Sequence, residues 1–185
     1  MYKRRYPLNL IKAGYKMLED MGFTQEEIKQ IRSERRRIIE AKISTYVISG
    51  SQLSFYRQQI EMEREKMSPV GSPVLSDMPK GPFNPMATQD KWAACIDKIN
   101  AWETKLSALE QEKAQMEKGM KLLQPMELVV LKQHYGFDSS DMKSMPELVE
   151  ETCYSKRQLF RYMDNALEIL AFSILGPVER AEHVT

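Results

Sequence analysis

The chain has 185 residues, of which 42% are hydrophobic and 29% charged, and its formal net charge is +1. This balance favours a folded protein over a disordered one. No apolar run approaches the roughly 20 residues of a membrane-spanning helix, so we expect no membrane as a partner. The basic N-terminus lacks the apolar segment and cleavage site of a signal peptide, which predicts a cytoplasmic protein.

The first predicted domain is an N-terminal helical region, residues 1–66. An amphipathic helix over 8–21 is expected to end at Gly22. A longer helix should follow and stop near Gly50, since glycine is a poor helix former. A further helix is predicted over 51–67.

The start of the longer helix carries the sharpest local signal in the chain. Thr24 and Glu27 have the spacing of a capping box, in which each side chain accepts a hydrogen bond from the other residue's backbone. Phe23 and Ile28 flank that box as a hydrophobic staple.

Residues 67–87 contain five of the nine prolines, and no regular helix or strand is expected there. This segment is predicted to be a linker or an ordered crossover between helices.

A single long helix is predicted over 88–123, with Thr88 as its N-cap. Its apolar residues follow alternating three- and four-residue steps, as in a coiled coil. They are Trp92, Ile96, Ile99, Leu106, Leu109, Met116, Met120 and Leu123. This coiled-coil-like helix pairs either with the helices before the linker, as an antiparallel hairpin, or with a second chain in a homo-oligomer.

The last predicted domain, residues 124–176, contains three shorter helices. They cover Pro125–Tyr135, residues 146–152, and a final helix that Ser155 caps and that ends near residue 175. The remaining residues, 177–185, are a predicted tail. The whole chain is therefore expected to be all-α, a long helical hairpin or coiled-coil scaffold followed by a C-terminal helix-turn-helix.

The helix-turn-helix prediction depends on the residues around Ser155. Leu148 and Val149 suit the inner side of a supporting helix, and Cys153 suits the turn. The second helix has an apolar stripe, formed by Leu159, Tyr162, Met163, Ala166, Leu167 and Leu170. Its outward side collects residue types that reach base edges and phosphates, namely Lys156, Arg157, Gln158, Arg161 and Asn165.

The same pattern also fits an ordinary amphipathic helix with a solvated polar face. Residues 124–185 carry 6 Lys/Arg against 10 Asp/Glu, whereas residues 1–66 carry 14 against 9. DNA binding by the C-terminal segment therefore needs a local basic face, since its overall charge repels phosphate. Nearby Glu147, Glu150 and Glu151 oppose such binding unless they face away.

A family resemblance favours the DNA-binding interpretation. The runs LLQPMELVVLKQHYGF and MPELVEETCYSKRQLFRYMDNALEIL resemble region 4 of sigma-70-type factors, in particular the sigma-like phage transcription regulators of the RinA and ArpU kind. The matching residues are Pro125, Glu127, Val130, Leu131, Tyr135, Gly136, Leu148, Tyr154, Ser155, Arg157, Leu159, Arg161, Ala166 and Leu167. The resemblance extends over roughly residues 78–172.

The resemblance implies a phage or prophage regulator of late genes, located in the cytoplasm of the bacterial host cell. In this family the second helix of the motif reads promoter DNA, so double-stranded DNA and host RNA polymerase are the implied partners. The positions that carry over as DNA contacts are Ser155, Lys156, Arg157, Gln158 and Arg161.

Residues 29–42 form the densest basic patch of the chain. Arg32, Arg35 and Arg36 are candidates for secondary phosphate contacts. A solvated helix face is the other interpretation of this patch.

Nothing in the sequence indicates an enzyme. His134 and His183 are far apart and lack ligands at metal-binding spacing, and no phosphate-binding loop or nucleophile motif is present. We therefore expect no catalytic residues, no metal and no cofactor. Cys95 and Cys153 are expected to be buried, reduced thiols.

Two other functions fit parts of the pattern. Small-terminase-type phage packaging proteins also join a helix-turn-helix to long helices, and they assemble into rings. Alternatively, the acidic C-terminal domain binds RNA polymerase without contacting DNA.

Overall fold

The computed structural model describes residues 6–67, 85–137 and 142–177, with side chains throughout except at positions 6–8, 10 and 85–88. Within these ranges the chain forms helices and no strand, which confirms the all-α class. The helices are α1 (Tyr6–Asp20), α2 (Gln25–Met67), α3 (Pro85–Met120), α4 (Pro125–Tyr135), α5 (Met145–Thr152) and α6 (Lys156–Leu175). None of the described helices is long and apolar enough to cross a membrane. Most of the predicted linker and tail, residues 68–84 and 178–185, lies outside the described residues.

The capping box at the start of α2 forms as predicted. The backbone N–H of Thr24 donates to Glu27 Oε2 at 2.8 Å, and the N–H of Glu27 donates to Thr24 Oγ1 at 3.3 Å. Just before it, Gly22 takes a φ of 90° and ends α1. The N–H groups of Gly22 and Phe23 bond back to the carbonyls of Glu19 and Leu18, which satisfies the last turn of α1.

The prediction that a helix ends near Gly50 is wrong, because α2 continues through it for 43 residues. A glycine inside a helix costs only about 1 kcal/mol relative to alanine. The buried side chains of Ser49 and Leu53 on either side fix the helical path. The predicted N-cap at Thr88 is also wrong, since α3 begins at Pro85, and proline suits the first helical position.

The chain forms two compact units. Unit 1 comprises residues 1–48 and 112–185, and unit 2 comprises residues 49–111. The long helices α2 and α3 contribute residues to both units, and the predicted helix-turn-helix segment lies in unit 1.

Unit 2 is an antiparallel pair made by the second part of α2 and the first part of α3. Arg57 pairs with Glu110 at 2.9 Å and Arg64 with Glu103 at 3.1 Å. As residue numbers increase along α2, the numbers of their partners on α3 decrease, so the two helices are antiparallel. The sequence left open whether these helices pair within or between chains, and here they pair within the chain. The buried apolar residues of unit 2 are Leu53, Ile60, Ile99 and Leu109.

The predicted seam of α3 is only partly buried. Trp92 and Ile96 are 48% and 46% exposed, whereas Ile99 and Leu109 are buried. Beside the seam, the Trp102 ring lies 5.9 Å from that of Phe55 and 5.5 Å from that of Tyr56.

Unit 1 is organised around α6, whose apolar side is in the core. A cluster of buried residues joins that side to α2, the end of α3, α4 and α5; it contains Ile39, Ile43, Met116, Met120, Val130, Leu131, Met145, Leu148, Leu159, Met163, Ala166, Leu167, Leu170 and Ala171. Gly119 marks a close approach between α3 and α6. A Cβ atom built on Gly119 would lie 2.9 Å from Leu170 Cδ2.

One carboxylate is buried among the described residues of unit 1. Glu127 is 2% exposed, accepts a hydrogen bond from the Gln124 backbone N–H at 2.9 Å at the start of α4, and also bonds to Asn165 of α6. Burial raises the pKa of Glu127 above its ordinary value, although both hydrogen bonds act in the opposite direction.

We expect Glu127→Gln to gain stability relative to the wild-type protein as the pH rises from about 4 to about 7. Because the pKa is raised in the folded protein, ionisation of Glu127 above its unfolded pKa lowers the free energy of unfolding, and the amide cannot ionise. Denaturant titrations across this range measure the difference. Glu127→Leu, which removes the acceptor for the Gln124 N–H, should lose stability at every pH. If the free energies of unfolding of Glu127→Gln and wild type differ by the same amount at every pH, the expectation is contradicted.

Candidate nucleic-acid interface

The turn between α5 and α6 has three residues, 153–155. At the start of α5, Ser144 N–H and Oγ–H both donate to Glu147 Oε2, at 2.6 and 2.7 Å. At the start of α6, Ser155 Oγ accepts from the Gln158 backbone N–H at 3.3 Å, as the sequence predicted. A supporting helix, a short turn and a capped second helix are the elements of a helix-turn-helix.

Cys153 allows the chain to reverse direction at this turn. Its φ of 58° is the left-handed conformation, and it is the one non-glycine residue with positive φ in the described part of the chain. Its backbone N–H closes α5 by donating to the Val149 carbonyl at 3.0 Å. The prediction that Cys153 is a buried thiol is wrong: this conformation leaves the side chain exposed, while Cys95 is half-buried.

We expect Cys153→Gly to raise the free energy of unfolding by about 0.5–1 kcal/mol. Relief of the left-handed strain, about 1–2 kcal/mol, should exceed the extra backbone entropy of glycine in the unfolded chain. Because the thiol is exposed, little packing is lost. Urea titrations would measure the change, with Cys153→Val as the matched variant that should lose stability. A glycine variant less stable than wild type would contradict the presence of backbone strain at Cys153.

The predicted apolar stripe of α6 is buried, except at one residue. Leu159, Met163, Ala166, Leu167 and Leu170 are each no more than 2% exposed. Tyr162 is only half-buried. Its ring packs edge-on against Tyr154 at 5.8 Å, and its hydroxyl accepts a hydrogen bond from Gln158 Nε2 at 3.2 Å.

The five residues predicted to contact DNA lie together at the start of α6, and all are exposed: Ser155, Lys156, Arg157, Gln158 and Arg161. Ser155 and Gln158 already have the intramolecular bonds described above. Lys156 Nζ lies 5.9 Å from the centre of the Phe160 ring. For Arg157 and Arg161, no ion-pair partner lies within 4.0 Å among the residues that the structure describes.

Most of the acidic residues of α5 have partners within the protein. Glu147 is held in the cap of α5, and the hydrogen bonds from Ser144 lower its pKa. Glu151 pairs with Lys143 at 2.5 Å. Glu150 is exposed. Two of the three carboxylates that oppose DNA binding therefore have intramolecular partners.

The second set of predicted cations, on α2, contacts α6. Arg36 pairs with Asp164 at 2.7 Å, and Arg32 pairs with Glu168. Arg35 donates to the backbone carbonyls of Ala171, at 3.1 Å, and of Gly176 near the end of α6. These side chains line a cleft of about 320 Å³. Their role as phosphate contacts stays a prediction; in the structure their partners are carboxylates of α6 and backbone carbonyls of Ala171 and Gly176.

Both sets of predicted cations, those at the start of α6 and those of α2, lie along the same side of α6. Arg161 and Asp164 are three residues apart, so they are neighbours on the helix surface. Since Arg36 binds Asp164, its guanidinium lies beside the third turn of α6, directly after the two turns that carry the predicted DNA contacts. The first two turns of α6 remain open, whereas the acidic residues that follow them are neutralised by α2.

Sequence reasoning missed a hydrogen-bonded network that connects Arg36 to α4. Tyr135 of α4 hydrogen-bonds to Glu40, and Glu40 accepts from Arg36 Nε at 3.0 Å. Burial, and to a smaller extent the negative charge of Glu40, raises the pKa of Tyr135 to about 12. These residues are distant in sequence and follow no local spacing rule, so no sequence signal indicates the network.

Comparison with known proteins adds no identification: no family model matches the chain, and no curated protein or solved structure is significantly similar to it. The likeness to sigma region 4 therefore depends on the sequence motifs. In the described part of the chain, no group of three His, Cys, Asp or Glu residues is arranged to hold a metal ion.

Proposed function

We propose that this protein binds double-stranded DNA sequence-specifically through the first two turns of α6, and that it regulates transcription of phage genes. The observation that carries this function is the unequal pairing of arginines around α6. Arg32, Arg35 and Arg36 have partners on α6, whereas Arg157 and Arg161 point outward with no described ion-pair partner.

The dimensions of the site fit a major groove. An α-helix with its side chains is about 10–12 Å in diameter, and the major groove is about 12 Å wide and admits a helix. The N-terminal end of α6 also carries the positive end of the helix dipole, which favours nearby phosphates. The cap at Ser155 fixes where that end lies.

The charges of the site favour base reading over general attraction to DNA. Residues 124–185 are acidic overall, so long-range electrostatic attraction from this segment is weak. Arginine side chains bind the O6 and N7 atoms of guanine with two parallel hydrogen bonds. Arg157 and Arg161 are one helical turn apart and face the same side, so they suit guanines in neighbouring base pairs.

The family resemblance supplies the biological part of the proposal. Region 4 of sigma factors reads promoter DNA while bound to RNA polymerase, and the similar phage regulators act on late genes. We therefore place this protein in the cytoplasm of a bacterial host, with a phage promoter and host RNA polymerase as partners.

Arg157→Ala and Arg161→Ala should each weaken binding to the preferred duplex by about 1–3 kcal/mol, because each removes a bidentate contact with a base. The duplex is found by selecting from a random-sequence DNA library with the purified full-length protein, and affinity is measured by titration at fixed salt. Each variant should also lose discrimination at the base pair that its arginine reads.

Lys91→Ala removes an exposed cation from unit 2 and serves as the matched control, with an expected change close to zero. Thermal unfolding of each variant confirms that the fold is intact. Wild-type affinity in both arginine variants would contradict the assigned site. Failure of the folded wild-type protein to select any duplex would contradict DNA binding itself and favour a polymerase-binding module.

A further inference from the structure

Phe160 is an exposed aromatic residue within the first two turns of α6, where the candidate interface lies. It is 42% exposed, although the residue before it, Leu159, is completely buried. Phe160 follows Arg157 by three residues, so these two side chains are neighbours on the helix surface, whereas Arg161 lies about 100° further around α6. Lys156 Nζ lies 5.9 Å from its ring centre.

The core of unit 1 does not include Phe160. The buried cluster takes Leu159, Met163 and Ala166 from this part of α6, and Phe160 belongs neither to that cluster nor to the partly buried residues around it. Its ring is therefore available to a partner. Replacement by alanine, a strong helix former, is compatible with α6.

In a major groove the ring would meet a surface with very few apolar groups. Base edges present hydrogen-bond donors and acceptors, which lose their water without compensation when a phenyl ring covers them. The 5-methyl group of thymine is the apolar exception, and phenylalanine is one of the residues that contact it.

We propose that Phe160 determines part of the DNA specificity by packing against the 5-methyl group of a thymine. This inference depends on the proposed function, because it requires α6 to occupy the major groove. The recognised DNA then contains an A·T pair next to the base pairs that Arg157 and Arg161 read, with its thymine methyl facing Phe160.

The test replaces thymine by uracil, which removes the methyl group and keeps the base-pairing edge. Each thymine of the selected duplex is replaced in turn, and affinity is measured for the wild-type protein and for Phe160→Ala. At one position the wild-type protein should lose about fourfold in affinity, the effect of one buried methyl group. The alanine variant should bind the thymine and uracil duplexes equally at that position.

The remaining thymine positions of the same duplex serve as internal controls, since both proteins should respond to them alike. Equal sensitivity of wild type and Phe160→Ala to every uracil substitution would overturn the thymine contact while leaving DNA binding intact. A selected duplex with no thymine in its recognised positions would do the same. If the wild-type protein selects no duplex, the proposed function fails together with this inference.

Discussion

Burial of one side of α6 is the constraint on which unit 1 depends. Five α6 side chains of the buried cluster, each at most 2% exposed, pack against α2, the end of α3, α4 and α5. Burying each large apolar side chain contributes about 1.5–3 kcal/mol, whereas a partly exposed ion pair such as Arg36–Asp164 contributes at most about 1 kcal/mol. Apolar packing therefore holds α6 in the core, and the arginine pairs of α2 determine which part of its outer side stays open.

This division of α6 connects the fold to the proposed function. Asp164 and Glu168 would repel DNA if they were unpaired, and Arg36 and Arg32 neutralise them. The preceding turns keep their positive charge because no described carboxylate pairs with Arg157 or Arg161. An acidic segment can thereby present a small basic surface, which suits recognition of a particular sequence better than general binding to DNA.

Local signals in the sequence predicted most of the helices and the buried side of α6. The helix caps at Thr24 and Ser155 were predicted correctly because their hydrogen bonds involve residues three positions away. The predicted helix end near Gly50 was wrong because helix propensity is a weak preference that packing overrides. The pairing of Arg36 with Asp164 spans 128 positions, so no local pattern indicates that two separately predicted basic sites lie side by side.

The proposed function requires that the start of α6 contacts DNA while the arginines of α2 stay paired with Asp164, Glu168 and the carbonyl groups at the end of α6. The most direct measurement is an NMR titration of the arginine side-chain Nε–H signals in isotope-labelled protein with the selected duplex. We expect large shifts for Arg157 and Arg161 and little change for Arg32 and Arg35. Large shifts confined to Arg32 and Arg35, or no shift at Arg157 and Arg161 when the duplex is bound, would contradict it.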